Sequence, residues 1–338
     1  MTDRTNPIRL GVLGLGRAFT LMVPTFASDP RIRIVAGFDP RASATKLLQT
    51  EFGAHVHLSP ESLCADPDVD WIYVATPHQL HAEHVALAAR FGKHVLVEKP
   101  MAISLLECQC MIDACADAGT HLIVGHSHSF NMPVRMARGL IRSGKYGQVR
   151  MVHAMNFTDF LYRPRRPEEL DTAKGGGVVF SQAAHQVDIV RLLAGGMVGS
   201  VYARAGRWDR SRPTEGAYSA MLDFENGAFA SLNYNGYGYF DTDAMMGWVG
   251  EMGIPKSNLA HSLTRQKSMA CTNEVAEATR KADRNYGGSD YQATQPGVAQ
   301  SFQHFGPVIV SCDGADLQLT PAGLTIHDLS GSHAQNQH

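Results

Sequence analysis

The stretch HVLVEKPMA, His94 to Ala102, runs an apolar strand straight into an acid and an amine. Val95, Leu96 and Val97 read as a buried strand, and Pro100 cannot continue its ladder, so Glu98 and Lys99 stand at a forced exit. Either the strand simply surfaces there, or the sheet holds a lysine over a bound ligand. A second chemically telling group closes the first apolar run, where GVLGLGRAF places Gly11, Gly14 and Gly16 ahead of a helix that starts near Arg17. Glycines at such a turn let the backbone approach a pyrophosphate, whose charge then rests on the helix N-terminus formed by Arg17, Ala18 and Phe19. The fingerprint G-x-G-x-x-G is incomplete, because Phe19 occupies its third position counted from Gly14. Asp39 stands 23 residues after Gly16, at the end of the next apolar run. A carboxylate there accepts from ribose hydroxyls and repels a 2′-phosphate, which favours NAD over NADP. Arg41, two residues on, could pair with that phosphate and keeps NADP as the lesser alternative.

Other residue groups are less specific. RPRRP supplies Arg163, Arg165 and Arg166, and ARAGRWDRSRP supplies Arg204, Arg207, Arg210 and Arg212. Forked guanidiniums pair bidentately with carboxylates, so the clusters point to an anionic substrate, with an exposed basic loop as the alternative. His78, His81 and His84 fall three residues apart, yet no converging partners are evident, so helix solvation is the expectation and no metal site is assigned. His126 and His128 follow the fifth apolar run and stand near an expected cleft. Six cysteines without a CxxC pair suit reduced thiols rather than disulfides or zinc.

The elements that must position these residues follow from periodicity. Ile8 to Leu13, Ile32 to Phe38, Val69 to Ala75, His94 to Val97 and His121 to Val124 read as strands, each followed by a turn and a helical stretch such as Gln79 to Phe91. Strand and helix in alternation give a parallel, doubly wound Rossmann sheet over residues 1–125, which binds ligands beyond the carboxyl ends of its strands. Beyond Val124 the pattern changes. A helix from Pro133 to about Ser143 precedes a strand from Val149 to Phe157, and Tyr218 to Phe224 joins Ala228 to Tyr234 through Glu225-Asn226-Gly227, a hairpin signal. Residues 126–330 therefore read as an α+β domain with a mainly antiparallel, open-faced sheet. Residues 250–300 show no sustained period and are expected to form a mobile excursion or a partner-facing arm. SGSHAQNQH at the end reads as a frayed tail.

With 338 residues, 44% of them hydrophobic, a net charge of −2 and a pI near 6.8, the composition is that of an ordinary soluble protein and gives no sign of a nucleic-acid or membrane partner. No apolar run spans a bilayer and MTDRTNPIRL lacks a signal-peptide core, so a cytoplasmic protein is expected.

The run VDWIYVATPHQLHAEHVALAARFGKHVLVEKPMA carries a resemblance to the Gfo/Idh/MocA family, named for glucose-fructose oxidoreductase, inositol dehydrogenase and rhizopine catabolism. Ala75-Thr76-Pro77, His81 and above all Glu98-Lys99-Pro100 stand at that family's spacing, and GGGVVFSQAAHQVD (175–188) and FENGAFASL (224–232) extend the resemblance over about nine-tenths of the chain. It implies that these residues line an NAD site, and that Lys99, before an often cis Pro100, sits beside the nicotinamide and the reacting hydroxyl. Hydride leaves a carbinol carbon only as the hydroxyl proton departs, and a desolvated lysine near a cationic ring becomes the required acceptor. The resemblance makes His185 the second catalytic candidate and places Ser181 where the family usually carries an aspartate, four residues earlier. Within the family the chain is most similar to members that oxidise phthalate cis-dihydrodiols. An NAD-dependent CH-OH dehydrogenase of a carboxylated aromatic dihydrodiol is the implied function, with Arg163, Arg165, Ser181 and His128 toward substrate. A polyol, inositol or sugar-acid dehydrogenase is the runner-up, and a non-catalytic dinucleotide-binding regulatory subunit the alternative of another class. Relatives pair through the outer face of the second sheet, which implies a homodimer or homotetramer.

Overall fold

The computed structural model describes residues 6–270, 273–293 and 301–336. The chain divides into two compact units, Met1–Gly125 with Val275–Val298, and His126–Glu274 with Ala299–His338.

The first unit holds the strands β1 (Ile8–Leu13), β2 (Ile32–Phe38), β3 (His55–Val56), β4 (Trp71–Val74), β5 (His94–Val97) and β6 (Leu122–Val124), all parallel, in the order β3-β2-β1-β4-β5-β6. Its helices are α1 (Arg17–Ser28), α2 (Ala42–Phe52), α3 (Pro60–Cys64), α4 (His81–Arg90) and α5 (Leu105–Asp117). The central strands β1, β4 and β5 are largely apolar because the sheet is covered on both sides. Val12 and Tyr73 join Phe19 and Leu48 in one core, whereas Leu13, Ile72 and Val97 join Val85, Ala88 and Met111 in another. Strand order reverses between β1 and β4, so the ligand edge of this doubly wound sheet lies at their carboxyl ends.

The second unit is built on β7 (Val149–Phe157), β8 (Val198–Gly206), β9 (Ala217–Phe224), β10 (Phe229–Asn235), β11 (Val308–Cys312), β12 (Asp316–Thr320), β13 (Gly323–Asp328) and β14 (Gly331–Asn336). These form an eight-stranded sheet in the order β14-β13-β12-β11-β7-β10-β9-β8, parallel only between β7 and β10. The hairpin turn between β9 and β10 is closed by Phe224 N–H on Ala228 O at 2.9 Å. Helices α6 (Met132–Arg142) and α7 (Ala184–Ala194) share the sheet's core through Val134, Ala137, Ile189, Val190 and Leu193. The other face is open: Tyr202, Met221, Phe229 and Ile309 are exposed. The closing residues Gly331 to Asn336 are no frayed tail, since β14 pairs antiparallel with β13.

The region 250–300 differs from the expected excursion. It carries α8 (Ala260–Met269) and α9 (Glu274–Asp283), and Val275–Val298 belongs to the first unit rather than to a second domain of residues 126–330. Cys271 and residues 294–300 lie outside the described residues. Tyr286 anchors this segment. Its ring is fully buried and meets Phe19 edge-on at 5.0 Å, its N–H donates to Thr20 Oγ1 at 2.8 Å, and its hydroxyl donates to Glu51 at 2.6 Å. Gly287 follows at φ +73°, and a Cβ there would stand 2.5 Å from Ala44 Cα, so only glycine lets the segment lie against α2. Local period gave no sign of this because a single buried aromatic, not a repeating stripe, does the docking. Tyr286→Ala is expected to destabilise the first unit by about 3 kcal/mol in urea titrations, and Tyr286→Phe by only about 1 kcal/mol, the worth of one hydrogen bond.

Candidate active site

The carboxyl edge of the parallel sheet is assembled from backbone groups and a few fixed side chains. Gly14 adopts φ +97°, and a Cβ there would approach Ala75 O to 2.8 Å, so β1 and β4 can end side by side only with glycine at this position. Gly16 caps α1 without any side-chain hydrogen bond, and the space where its Cβ would stand is open. The first N–H groups of α1 thus face a cradle of the kind a pyrophosphate fills. Asp39 is clamped beside it: one carboxylate oxygen accepts from Leu15 N–H at 2.8 Å, and the other accepts from Arg41 N–H at 2.9 Å and from Arg41 Nε at 3.0 Å. Arg41 also donates to Leu15 O at 2.7 Å and Tyr286 O at 3.2 Å. To hold a 2′-phosphate, this guanidinium would have to exchange some of its bonds to one carboxylate and two carbonyls.

At the ends of β4 and β5, His81 lies between Thr76 O and Pro100 O, 3.0 Å from each. Burial holds its pKa below the ordinary histidine value despite those carbonyls. His84 is buried too, its Nδ1 3.0 Å from Thr76 Oγ1. These rings tie two turns together, and the expectation that they solvate a helix is overturned because α4 turns this face toward the sheet. Glu98 accepts from Tyr73 Oη at 2.6 Å and from Lys99 N–H at 3.3 Å. Burial and the Glu98 carboxylate hold the Tyr73 phenol well above its usual range, so it remains a donor. Lys99 is half-buried and the Lys99–Pro100 bond is cis.

In the second unit, His185 opens α7 and meets the ring of His128 edge-on at 4.5 Å. Phe305 packs on both, at 5.5 Å from His128 and 4.9 Å from His185, and Tyr234 stacks on Phe305 at 5.9 Å. His304 and Phe305 have φ of 53° and 64°, a left-handed conformation that costs L-residues about 1 kcal/mol each and recurs at functional sites. Ser181 is half-buried within a π-helical turn, Val179–Ala183, so the α-helical spacing that would give it one face with His185 does not apply.

The two arginines of interest differ in their charge balance. Arg163, its side chain 35% exposed, donates to Asp159 at 2.7 Å and pairs with Glu251 at 3.4 Å. Arg165, its side chain 10% exposed, lies 3.5 Å over the Phe160 ring, donates to Phe160 O at 2.6 Å, and has Glu169 at 3.8 Å. Burial, with the Arg163 charge adding to it, pushes Arg165 down to about 10 in spite of Glu169.

Residues 8–126 match the model of the Gfo/Idh/MocA oxidoreductase family with an NAD-binding Rossmann fold, and residues 134–254 match a C-terminal domain of the same family. The chain belongs to the Gfo/Idh/MocA oxidoreductase family. Over 312 residues it is 50% identical to 1-carboxy-3-chloro-3,4-dihydroxycyclohexa-1,5-diene dehydrogenase of Comamonas testosteroni, covering 92% of this chain and 78% of that protein. A protein of Bordetella bronchiseptica RB50 described as a dehydrogenase superposes with a TM-score of 0.89 at 39% identity, covering 98% of this chain and 86% of that one. Levoglucosan dehydrogenase, in complex with NADH and levoglucosan, shares the fold with a TM-score of 0.73 at 17% identity, covering 98% of this chain and 80% of its own. The glycine cradle and Asp39 fit NAD, the family's cofactor.

For this Gfo/Idh/MocA member, the expected NAD-side residues Gly14, Gly16, Arg17, Ala18, Phe19, Asp39, Arg41, Ala75, Thr76, Pro77, His81, Glu98 and Lys99 lie in the first unit, and His128, Arg163, Arg165, Ser181 and His185 in the second. His126 is half-buried; of the second arginine group, Arg204, Arg207 and Arg210 are exposed and only Arg212 is buried. Phe305, Tyr234 and Tyr286 escaped sequence reasoning, for each is an aromatic in an apolar or irregular stretch. The Arg163–Asp159 pair offers a test. Burial opposes charge on Asp159, but the Arg163 guanidinium prevails and holds its carboxyl at about 2, below the ordinary 3.8. A depressed pKa contributes stability that is complete above pH 4 and lost as pH falls toward 2. Asp159→Asn is expected to cost roughly 2 kcal/mol at pH 7 in urea titrations, with most of the deficit gone by about pH 2.

Proposed function

We propose that the protein is an NAD-dependent dehydrogenase of a carboxylated cyclic cis-dihydrodiol, with phthalate cis-dihydrodiol its first candidate substrate. The observation that carries the reading is the placement of two guanidiniums, Arg163 and the largely buried Arg165, in one segment of the second unit, where Arg165 lies over the Phe160 ring. Arg165 would bind a ring carboxylate, while Arg163, already paired with Asp159 and Glu251, would orient rather than neutralise. The similarity to a dehydrogenase of a carboxylated, dihydroxylated cyclohexadiene supports the same substrate class.

NAD, when bound, supplies the hydride acceptor. Lys99 at the end of β5 takes the proton of the ring hydroxyl as the carbinol hydrogen leaves, and His185 assists in the proton transfer. His128 and Phe305 fix the His185 ring through the edge-on and tilted contacts described above. Burial around these rings excludes water that would compete for the proton. The ketone so formed enolises to an aromatic diol, which makes the oxidation strongly downhill.

Lys99→Met is expected to lower kcat by a factor on the order of 100 or more with NAD affinity, read by protein fluorescence, little changed. Turnover at the wild-type rate would remove Lys99 from the mechanism. Arg165→Met should raise KM about tenfold or more for carboxylated dihydrodiols and leave an uncarboxylated dihydrodiol almost unaffected. A panel of one- and two-carboxylate dihydrodiols and inositol, followed as NADH at 340 nm, ranks the candidate substrates. Preference for inositol would favour the polyol reading.

A further inference from the structure

On the edge of the parallel sheet, two histidines and an aspartate converge on one point. His55 and His57 alternate across β3 and its exit, so both project to the same side of the strand. Asp66 reaches them from the loop after α3. Its Oδ2 lies 2.9 Å from His57 Nε2 and 3.6 Å from His55 Nδ1, and the three atoms all fall within 4.8 Å of one another. The two rings sit 4.3 Å apart at 54° to each other.

We propose that His55, His57 and Asp66 form a binding site for a divalent transition-metal ion of the zinc class. Bonds of 2.0–2.1 Å in a tetrahedron separate neighbouring ligand atoms by about 3.3 Å. The separations of 2.9 and 3.6 Å from Asp66 Oδ2 bracket that value, and the His55 and His57 nitrogens, within 4.8 Å of each other, would close on an ion that takes the place of the His57–Asp66 hydrogen bond. The supporting shell is in place. Asp66 Oδ1 accepts from Asp68 N–H at 2.8 Å, which turns Oδ2 toward the rings, and Asp66 O accepts from Lys93 Nζ at 2.7 Å, which holds the loop. His57 N–H donates to Gly37 O at 3.0 Å, which keeps its backbone in line with β2. Such bonds hold ligands in register for an ion. His57 and Asp66 are buried at the side chain, whereas His55 is 70% exposed, so the ion would enter from solvent and His55 would close over it. Three protein ligands leave a fourth position for water. The N,N,O set suits zinc, nickel or copper and rejects magnesium and calcium, which prefer oxygen cages. None of the three residues belongs to the cofactor edge. The ion would act as a staple, joining a two-residue edge strand to the loop beyond α3.

Chelator-treated, tag-free protein titrated with zinc chloride by calorimetry tests this. One equivalent should bind with micromolar affinity and raise the melting temperature by a few degrees, while magnesium chloride does neither. His55→Ala should weaken that step by at least the roughly tenfold that loss of even an outer partner costs. Asp66→Asn should abolish it, with the circular dichroism spectrum and NAD binding retained. The proposal is overturned if wild type and the His57→Ala, Asp66→Asn double variant titrate alike. It is equally overturned if wild type shows no step tighter than millimolar.

Discussion

The carboxylate of Asp39 is the constraint on which the cofactor side of this protein rests. One oxygen holds the glycine turn through Leu15 N–H, the other holds Arg41, and Arg41 in turn grips Leu15 O and Tyr286 O. Three segments distant in sequence, the end of β1, the turn between β2 and α2 and the segment around Tyr286, are thereby fixed to one another. The cradle at the start of α1 is open because these atoms satisfy each other and leave the first helical N–H groups to a ligand.

A comparable economy governs the turns at β4 and β5. Tyr73, His81 and His84 are buried polar groups, each with a partner at a strand end: Glu98, the Thr76 and Pro100 carbonyls, and the Thr76 hydroxyl. Buried polar side chains need such partners, and here the partners are the loops that carry Lys99. In the second unit the organising feature is aromatic. The left-handed turn at His304 and Phe305 sets a ring against His128 and His185, and Tyr234 completes the stack. Around it, Arg163 pairs with Asp159 and Glu251, and Arg165 lies over the Phe160 ring with Glu169 at 3.8 Å.

Legibility in the sequence followed the range of the forces involved. β1, β2 and β5 lie where apolar runs predict them, because a strand packed on both faces is apolar throughout. The hairpin at Asn226-Gly227 was readable from its turn chemistry. β8, β3 and β14 were not read as strands: β8 is exposed over most of its length, β3 has two residues, and β14 pairs at a sheet edge with no buried face. The docking of Tyr286 and the burial of His81 and His84 also escaped, since both depend on what lies opposite in space.

By itself, the sequence determined the alternation of strand and helix, the glycine turn, Asp39, and Lys99 at the end of an apolar strand, because each is dictated by steric and hydrogen-bonding demands within a few residues. Only the tertiary structure decided which charges are answered and which are not. Arg41 is bound to Asp39, Arg163 to Asp159 and Arg165 to Glu169, while His55, His57 and Asp66 meet at one point. Charge balance and convergence depend on through-space distance and burial, and neither is written in the spacing of residues along the chain.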